Sequence, residues 1–391
     1  MKKRLLFLML LSCALLLSGC SGGMEIESGL FVLAMAVDPA PEGNLTVTVK
    51  ALSGTQEATA GGTSPQQSSS ESPQTASESP EPGYIVMSAT AESCLRALDL
   101  LAATTPRTLN LSQLKEIVIN ETLARSQATL SILKEIHSLY RAGGDAIVVV
   151  TPDDAGDFIR RQRAVLGVRL SKYLQVLFEH FSQIDTIPPD ATLSAIITAM
   201  ESGGTDAAAV YAAGNSFDNT FILSGSPETD RLPGHLPRTS PAQNEYLGSA
   251  VFSGTQMVGT LTGDETSLLC LLMGKAQTRT FTLNGAQYKT NVATRVKRSI
   301  DKSTGALCVE IYMNLTRIAG ESSDAAQDIA RQIETGAAAL LQRLAALQSD
   351  AVGFGRIAMR RSLTIQDWER QNWKQMYAQS PIRVTAHVRP L

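Results

Sequence analysis

The longest helical pattern in the chain constrains its fold most, because a helix of this kind needs a large apolar surface to pack against. Between residues 324 and 348, apolar side chains recur every three or four positions, which places them on one helix face. They are Ile329, Ile333, Ala337, Leu340, Leu341, Leu344 and Leu347. We predict that this helix runs through the core of the last domain. The alternative is that the same stripe is a docking face for a membrane partner.

Strand patterns surround this helix in the second half of the chain. They occur at residues 247–252, 257–261, 281–283, 288–296, 307–315 and 382–388, with a short helix pattern at 264–273. The last of them alternates apolar and polar residues, which indicates a half-exposed strand. Residues 205–391 are therefore predicted to form a β-rich α+β domain that contains the long helix 324–348.

Strand and helix patterns alternate in the first half of the chain. Strands are predicted at 29–37, 45–49, 84–89, 114–119 and 146–150, and helices at 91–103, 126–140, 168–181 and 192–200. The first two strands are expected to form a hairpin across a turn at 41–44. Residues 20–204 are therefore predicted to form one or more α+β domains. The whole chain is predicted to be a multi-domain α+β protein, with three domains expected, whose mixed β-sheets are flanked by helices.

A low-complexity stretch interrupts the first half. Residues 53–83 are rich in Ser, Pro, Gln, Thr, Glu and Gly and contain no large apolar side chain. Such a segment cannot bury enough apolar surface to offset its loss of conformational entropy. We predict a disordered insert that interrupts a sheet, because a strand pattern resumes directly after it.

The N-terminus has the features of a bacterial lipoprotein leader. Lys2, Lys3 and Arg4 precede an apolar run that is too short for a comfortable membrane span, and the run ends in Leu-Ser-Gly before Cys20. We predict that residues 1–19 are removed and that Cys20 carries a diacylglycerol, which holds the protein on membrane lipid. The alternatives are an ordinary cleaved signal that happens to precede a cysteine, and an uncleaved anchor.

The charge of the chain argues against a nucleic-acid partner. The formal net charge is −3, and loss of the three leader cations makes the mature chain more acidic, at −6. Membrane contact is therefore expected from the lipid on Cys20 and not from a general basic field.

Three cysteines would remain after the leader and the lipid site are set aside. Cys94, Cys270 and Cys308 are far apart and lie among apolar residues, without a C-x-x-C pair. Buried free thiols are the simplest interpretation, and one disulfide with a leftover thiol is the alternative.

No motif for catalysis, phosphate binding or metal binding stands out, and no cofactor is predicted. His137, His180, His235 and His387 are scattered singly, without the spacing of a metal site. The paired carboxylates Asp153-Asp154 and Asp264-Glu265 each precede a predicted helix, where acids favour the positive end of the helix dipole. Trp368 and Trp373 are five residues apart on a predicted helix, so they are not expected to face the same way closely. A packed core is the favoured interpretation of the two, and a sugar-stacking platform is the alternative.

Three stretches resemble one known family. The first is the lipobox ending at Cys20 with the strand at 30–38. The second is Pro-Arg-Thr-Leu-Asn-Leu-Ser-Gln-Leu-Lys at 106–115, which leads into 118–124. The third is 248–252 with 257–266, followed far downstream by Gly353-Phe354-Gly355 and two tryptophans. Together they resemble the C-subunit lipoproteins of nutrient germinant receptors in spore-forming bacteria, the Ger(x)C family.

This resemblance implies a non-enzymatic subunit. Such proteins work with integral membrane A and B subunits at the spore inner membrane, on the outer face of the cytoplasmic membrane, and they are needed for nutrient-triggered germination. The implied fold has three α+β domains. Cys20, as the lipid site, is the one functional residue that the resemblance assigns in this chain. Two other classes stay open: an extracytoplasmic hydrolase that uses Asp264, Glu265 or Glu369, and a solute-binding lipoprotein.

Overall fold

The structure is a computed structural model that describes most of the chain after residue 28. The described residues are 29–53, 83–139, 142–165, 168–181, 183–215, 232–234, 236, 243–275, 280–283, 286–290, 294–319 and 325–390. The predicted leader 1–19, the predicted lipid site Cys20 and all but the ends of the predicted insert 53–83 lie outside them.

Nine strands of the described residues form the first sheet. They are β1 (Gly29–Pro39), β2 (Leu45–Leu52), β3 (Tyr84–Ala91), β4 (Thr108–Asn110), β5 (Glu116–Asn120), β6 (Ile147–Thr151), β7 (Ala208–Gly214), β8 (Asn244–Ser253) and β9 (Gln256–Leu261). Their order is β3-β2-β1-β5-β6-β7-β8-β9, and β4 lies beside β1. The centre, from β1 through β5 and β6 to β7, is parallel, whereas both flanks are antiparallel.

The sequence explains this mixed sheet. The predicted hairpin is confirmed, because β1 and β2 pair antiparallel across the 3-10 turn Pro41–Gly43. Strand β3 then pairs with β2 along its whole length, so the segment 54–82 joins two neighbouring strands of one sheet. Each connection between neighbouring parallel strands is a long crossover that includes at least one helix, as is usual for parallel pairing.

Helices cover both faces of the first sheet. They are α1 (Cys94–Ala102), α2 (Glu121–Ala124), α3 (Thr129–Leu139), α4 (Ala155–Arg161), α5 (Leu170–Phe181) and α6 (Leu193–Ser202). Helices α1, α3 and α6 enclose one apolar core, and α4 and α5 enclose smaller cores on the other face. Strands β1 and β5 are therefore buried on both faces, in keeping with their continuous apolar sequences.

A second, smaller sheet occupies the C-terminal part of the described chain. Its strands are β10 (Thr280–Leu283), β11 (Ala286–Thr290), β12 (Arg295–Ile300), β13 (Leu307–Ala319) and β14 (Ile382–Pro390), and its helices are α7 (Gly263–Leu272), α8 (Ala325–Ala346), α9 (Phe354–Met359), α10 (Ile365–Arg370) and α11 (Trp373–Gln379). Strand β13 is central and pairs with β11, β12 and β14.

The hairpin of β8 and β9 belongs to the first sheet, and its side chains contribute to the cores of both sheets. On this hairpin Ala250 and Phe252 face the first core, whereas Val251 and Leu261 face the core of the second sheet. Successive residues of a strand point to opposite faces of the sheet, which explains why these side chains reach two different cores. The first sheet thus extends to Leu261, past the predicted domain limit at residue 204. The limits 20–204 and 205–391, and the number of three domains, stay predictions.

The predicted fold class is confirmed, since mixed sheets are flanked by helices throughout the described residues. One strand prediction was wrong. The pattern at 288–296 belongs to two strands, β11 and β12, which pair with different parts of β13. No glycine or proline lies between β11 and β12 in the sequence, so the sequence pattern predicts one continuous strand.

The long helix was predicted correctly as a core element. Its stripe residues Ile329, Ile333, Ala337, Leu340 and Leu344 are almost fully buried against β13, β14 and α7. The stripe is covered by the chain itself, so the alternative of a free docking face is not supported.

Truncation of this stripe is expected to destabilise the second half of the protein. Leu340 is only 2% exposed. The change Leu340→Ala should therefore lower the free energy of unfolding by about 3 kcal/mol, through lost apolar burial and the cavity left behind. Urea unfolding of the mature chain, followed by circular dichroism, measures the effect. Leu363→Ala, at a side chain that is 95% exposed, is the matched control and should change stability little. Equal stability of the two variants would contradict the prediction.

Candidate functional site

The junction between the two sheets contains a buried carboxylate with an unusual set of donors. Asp350 follows α8 and is 1% exposed. Its Oδ1 accepts the backbone N–H groups of Gly353 and Phe354, both at 2.9 Å. Its Oδ2 accepts the N–H of Gly355 at 2.5 Å and the indole N–H of Trp373 at 3.0 Å. Four donors therefore converge on one side chain.

A second carboxylate ties this group to the first sheet. Asp206 lies between α6 and β7, and its side chain accepts the N–H groups of Asp350 and Gly254, both at 2.7 Å. It also forms an ion pair with Lys374 of α11. The Lys374 ammonium in turn donates to the carbonyl of Gln348 at 3.0 Å. Asp206 thus connects the β8–β9 turn, the end of α8 and α11.

Burial controls the protonation of this junction. Desolvation raises the pKa of Asp350 to about 6, although its backbone and indole donors act in the opposite direction. The nearby Asp206 carboxylate adds to the rise. Asp350 therefore has the environment of a buried structural carboxylate, held by donors on every side.

The local geometry around Asp350 explains why two of the neighbouring residues are glycines. Gly353 has φ of +84°, a left-handed backbone that disfavours other residues. A Cβ at Gly355 would lie 2.7 Å from the indole nitrogen of Trp373 and 2.8 Å from the carbonyl oxygen of Gly204. The motif Gly353-Phe354-Gly355 is thus a tight turn that wraps Asp350.

A cleft of about 650 Å³ opens beside the junction, between α6 and α9. Two carboxylates contribute to its wall, and each has a lysine partner. Asp190 pairs with Lys275 at 3.3 Å, and Asp206 pairs with Lys374. An acid–base pair for hydrolysis needs free carboxyl groups that converge on a substrate. This cleft has none among its described residues, and the arrangement does not favour the hydrolase alternative.

A second buried polar group lies inside the first sheet. Glu116 of β5 is fully buried and accepts hydrogen bonds from Tyr246 Oη, at 3.0 Å, and from Gln162 Nε2. Lys50 of β2 is 2% exposed, and its ammonium donates to the carbonyls of Ile159, at 3.2 Å, and Gln162. Burial raises the pKa of Glu116 to about 7, against the effects of these donors and of the Lys50 charge.

The outer face of the second sheet is open and basic. Alternate residues of β11, β12, β13 and β14 point away from α8. We call this surface the basic face. Its exposed cations are Lys289, Arg295, Lys297, Arg383 and Arg389, and its aromatic pair is Tyr312 with His387. Glu310 is the one carboxylate among its described residues. The basic face therefore has a net charge of about +4 with His387 neutral.

Two of the carboxylates proposed for a hydrolase, Asp264 and Glu265, are placed as helix-start acids, as predicted. Glu265 forms a capping box with Thr262 at the start of α7 and pairs with Arg343 of α8. Asp264 lies in the same first turn. Glu369 is exposed on α10. Likewise, Asp154 caps α4 by accepting the N–H of Asp157 at 2.7 Å.

The two tryptophans pack in the core of the second sheet, as predicted, but the prediction that they do not face the same way was wrong. Trp368 lies in α10 and Trp373 in α11, with the left-handed residue Asn372 between the two helices. Their rings are 6.0 Å apart between centroids, so they do pack together. The break at Asn372 turns the chain and brings the rings onto one side.

The cysteines and histidines that the structure describes form no metal-ligand cluster. Cys94, Cys270 and Cys308 form no disulfide among the described residues; the first two are buried, whereas Cys308 is half-buried on the basic face. Burial raises the pKa of Cys94 to about 12. Within the described ranges, no three His, Cys, Asp or Glu side chains are grouped as metal ligands. His235 and Cys20 lie outside those ranges.

Sequence reasoning missed the most connected residues. In the sequence, Lys50 follows the alternating apolar residues Leu45, Val47 and Val49, and this pattern predicts a solvent-facing side chain at position 50. In the structure, α4 covers that side of β2. Asp350 could have been found from its position between a long helix and a Gly-Phe-Gly motif. No local signal predicts its partner Asp206. Separately, the described residues contain no helix with the length and apolarity to cross a bilayer.

Comparison with known proteins places both halves of the chain among spore germination proteins. Residues 22–213 match the family described as "Spore germination protein N-terminal domain", and residues 247–389 match "Spore germination B3/ GerAC like, C-terminal". These two matches cover most of the chain in the expected order. The chain therefore belongs to the GerAC family, the C subunits of spore germination receptors, and the predicted resemblance is confirmed.

Similar solved structures include one described as "Crystal Structure of the GerBC protein". It shares 13% identity with this chain, with 91% of this chain and 96% of that chain covered and a TM-score of 0.47. Among proteins with curated descriptions, none matches this chain.

Proposed function

We propose that this protein is the lipid-anchored C subunit of a nutrient germinant receptor. In this proposal Cys20 carries the lipid, and the protein lies on the outer face of the cytoplasmic membrane, which is the spore inner membrane. It assembles there with integral membrane A and B subunits and is required for germination triggered by nutrients. It acts through assembly and signalling, without catalysis.

The observation that carries the proposal is the pair of family matches on both halves of the chain, directly behind a lipobox that ends at Cys20. The side chains support a role in assembly. Each described carboxylate of the cleft beside the junction has a lysine partner. The acids expected for a hydrolase act as helix-start residues or lie exposed.

The lipid anchor is tested by Cys20→Ala. We expect an unprocessed precursor or release of the protein from the membrane, because one lipidated residue supplies the acyl chains that hold it there. Metabolic labelling with a fatty acid and fractionation of spore membranes measure both effects. Cys308→Ala is the matched control, and it should remain labelled and membrane-bound. Normal labelling of the Cys20→Ala protein would contradict the anchor.

Deletion of the gene tests the receptor role. Germination with one set of nutrients should be lost, whereas germination with external calcium dipicolinate, which acts downstream, should continue. Restoration by the wild-type gene is the control. A purified chain that turns over a peptidoglycan or ester substrate, with turnover lost in a folded Glu265→Gln variant, would instead establish the hydrolase alternative.

A further inference from the structure

The basic face differs in charge from the rest of the protein. The chain as a whole is acidic, at −3, whereas this one sheet face has a net charge of about +4 with His387 neutral. An open sheet face is commonly polar and mixed in charge, which balances its own field. An excess of one sign on one face of an acidic protein is therefore a feature that solvation alone does not explain.

The cations of this face are largely uncompensated. Lys297 pairs with Glu310 at 3.4 Å, and the Tyr312 hydroxyl donates to the same carboxylate at 3.0 Å. These two groups lower the pKa of Glu310, so it stays ionised. Among the described residues, the other four cations of the face form no ion pair; they are Lys289, Arg295, Arg383 and Arg389.

An exposed aromatic pair lies between these cations. Arg295, Tyr312 and His387 occupy neighbouring positions across three strands. The Tyr312 and His387 rings are stacked, 4.6 Å between centroids and 18° between planes, and Tyr312 is 39% exposed. Tyr and Arg side chains in this arrangement are typical of the energetically important centre of protein interfaces.

Two grooves flank the stacked pair. One, of about 490 Å³, is lined by the cations Arg295, Lys297 and Arg389, the carboxylate Glu310, the two rings, Met313 and Asn314. The other, of about 340 Å³, lies between His387 and the first turns of α8. The surface therefore has a ridge of two rings between two grooves. Three cations line the first groove, and Arg389 is the cation of the second.

We propose that the basic face docks an acidic extracytoplasmic segment of the integral membrane A subunit. This proposal rests on the proposed receptor function. Carboxylates of the segment pair with the four uncompensated cations, and its apolar groups pack on the stacked rings. A protein segment fits better than a lipid surface, because a flat layer of headgroups cannot enter grooves on both sides of an aromatic ridge.

Charge reversal on the face tests this docking. The A subunit carries an affinity tag, and the amount of full-length C subunit recovered with it from detergent-solubilised spore membranes is measured. We expect Arg295→Glu with Arg389→Glu to reduce recovery at least about tenfold, because attraction becomes repulsion at two contacts. The control is Arg96→Glu with Lys172→Glu, the same charge change at exposed helix positions of the first half, which should leave recovery unchanged. Equal melting temperature and equal membrane content of all variants exclude misfolding.

The outcomes separate the proposal from the function on which it rests. If the wild-type C subunit is not recovered with the A subunit, the proposed receptor assembly fails. If it is recovered and the face variant is recovered equally well, the docking proposal is wrong. Equal loss of the face variant and the control variant also overturns it, since the effect would then be one of general charge.

A vesicle-binding experiment tests whether the basic face binds a membrane surface and not a protein partner. The mature chain with Cys20→Ala is mixed with vesicles containing about one third phosphatidylglycerol, or with neutral vesicles of phosphatidylcholine alone. The docking proposal predicts no difference in sedimentation between the wild-type face and the Arg295→Glu, Arg389→Glu variant. Binding to the anionic vesicles that the face variant loses would assign the basic face to the membrane and overturn the proposal.

Discussion

Asp350→Ala is expected to lower the free energy of unfolding by about 4 kcal/mol or more, because several buried donors lose their acceptor at once. The N–H groups of Gly353, Phe354 and Gly355 and the indole of Trp373 all donate to this one side chain. An unsatisfied buried donor costs about 1–3 kcal/mol. The loss is comparable to a large part of a typical total stability.

The control for this prediction is Trp373→Phe. It removes one donor and leaves three, so it should cost much less than Asp350→Ala, about 1–2 kcal/mol for the hydrogen bond with a further packing contribution. Urea unfolding of the mature chain with both variants provides the comparison. If Asp350→Ala costs no more than Trp373→Phe, the convergence of donors is not what stabilises the junction.

The stability of the wild-type junction should depend on pH in a defined direction. Burial raises the folded-state pKa of Asp350 to about 6, from 3.8. The unfolded chain therefore releases this proton first, and the contribution of Asp350 to stability decreases as the pH rises from about 4 to about 6. In Asp350→Ala this part of the pH dependence should be absent.

The sequence predicted most elements of the fold for physical reasons that act locally. The stripe from Ile329 to Leu344 has helical spacing and is long enough to be unambiguous. The hairpin of β1 and β2 follows from alternation on either side of a Pro-Glu-Gly turn. Each of these signals depends on residues close together in the chain.

The features that sequence reasoning missed depend on residues far apart or on single backbone angles. The Asp206–Asp350 contact joins positions separated by 144 residues. The ring contact of Trp368 and Trp373 depends on the left-handed conformation of Asn372. The basic face combines alternate residues of four strands, each of which is unremarkable by itself. Such sites follow from the topology, which the sequence pattern alone does not define.

Lys50→Met is expected to show that the first sheet depends on a buried charge. The Lys50 ammonium is 2% exposed and favours the ionised form of Glu116, which is fully buried. Methionine has a similar length and no charge, so it isolates the electrostatic effect. At about pH 8 the loss should be about 3–5 kcal/mol, because removal of one partner leaves the other as an uncompensated buried charge.

The direction of the pH effect follows from the protonation of Glu116. Its folded-state pKa is raised to about 7 from 4.5, so its contribution to stability decreases as the pH rises between those values. Without Lys50 the folded-state pKa of Glu116 rises further, and the decrease extends to higher pH. At about pH 5 Glu116 is neutral in the folded protein, so Lys50→Met should cost less there than at about pH 8.

A double variant tests whether the two charges act on each other. Lys50→Met with Glu116→Gln removes both charges and keeps an acceptor for Tyr246. It should be more stable at about pH 8 than Lys50→Met alone, and its stability should vary less between about pH 5 and about pH 8. Urea unfolding of the mature chain at the two pH values measures all four proteins of the cycle. If Lys50→Met lowers the free energy of unfolding equally at both pH values, the prediction is wrong. Lys50 would then act through its packing and its carbonyl contacts, and Gln162 and Tyr246 alone would compensate the charge of Glu116.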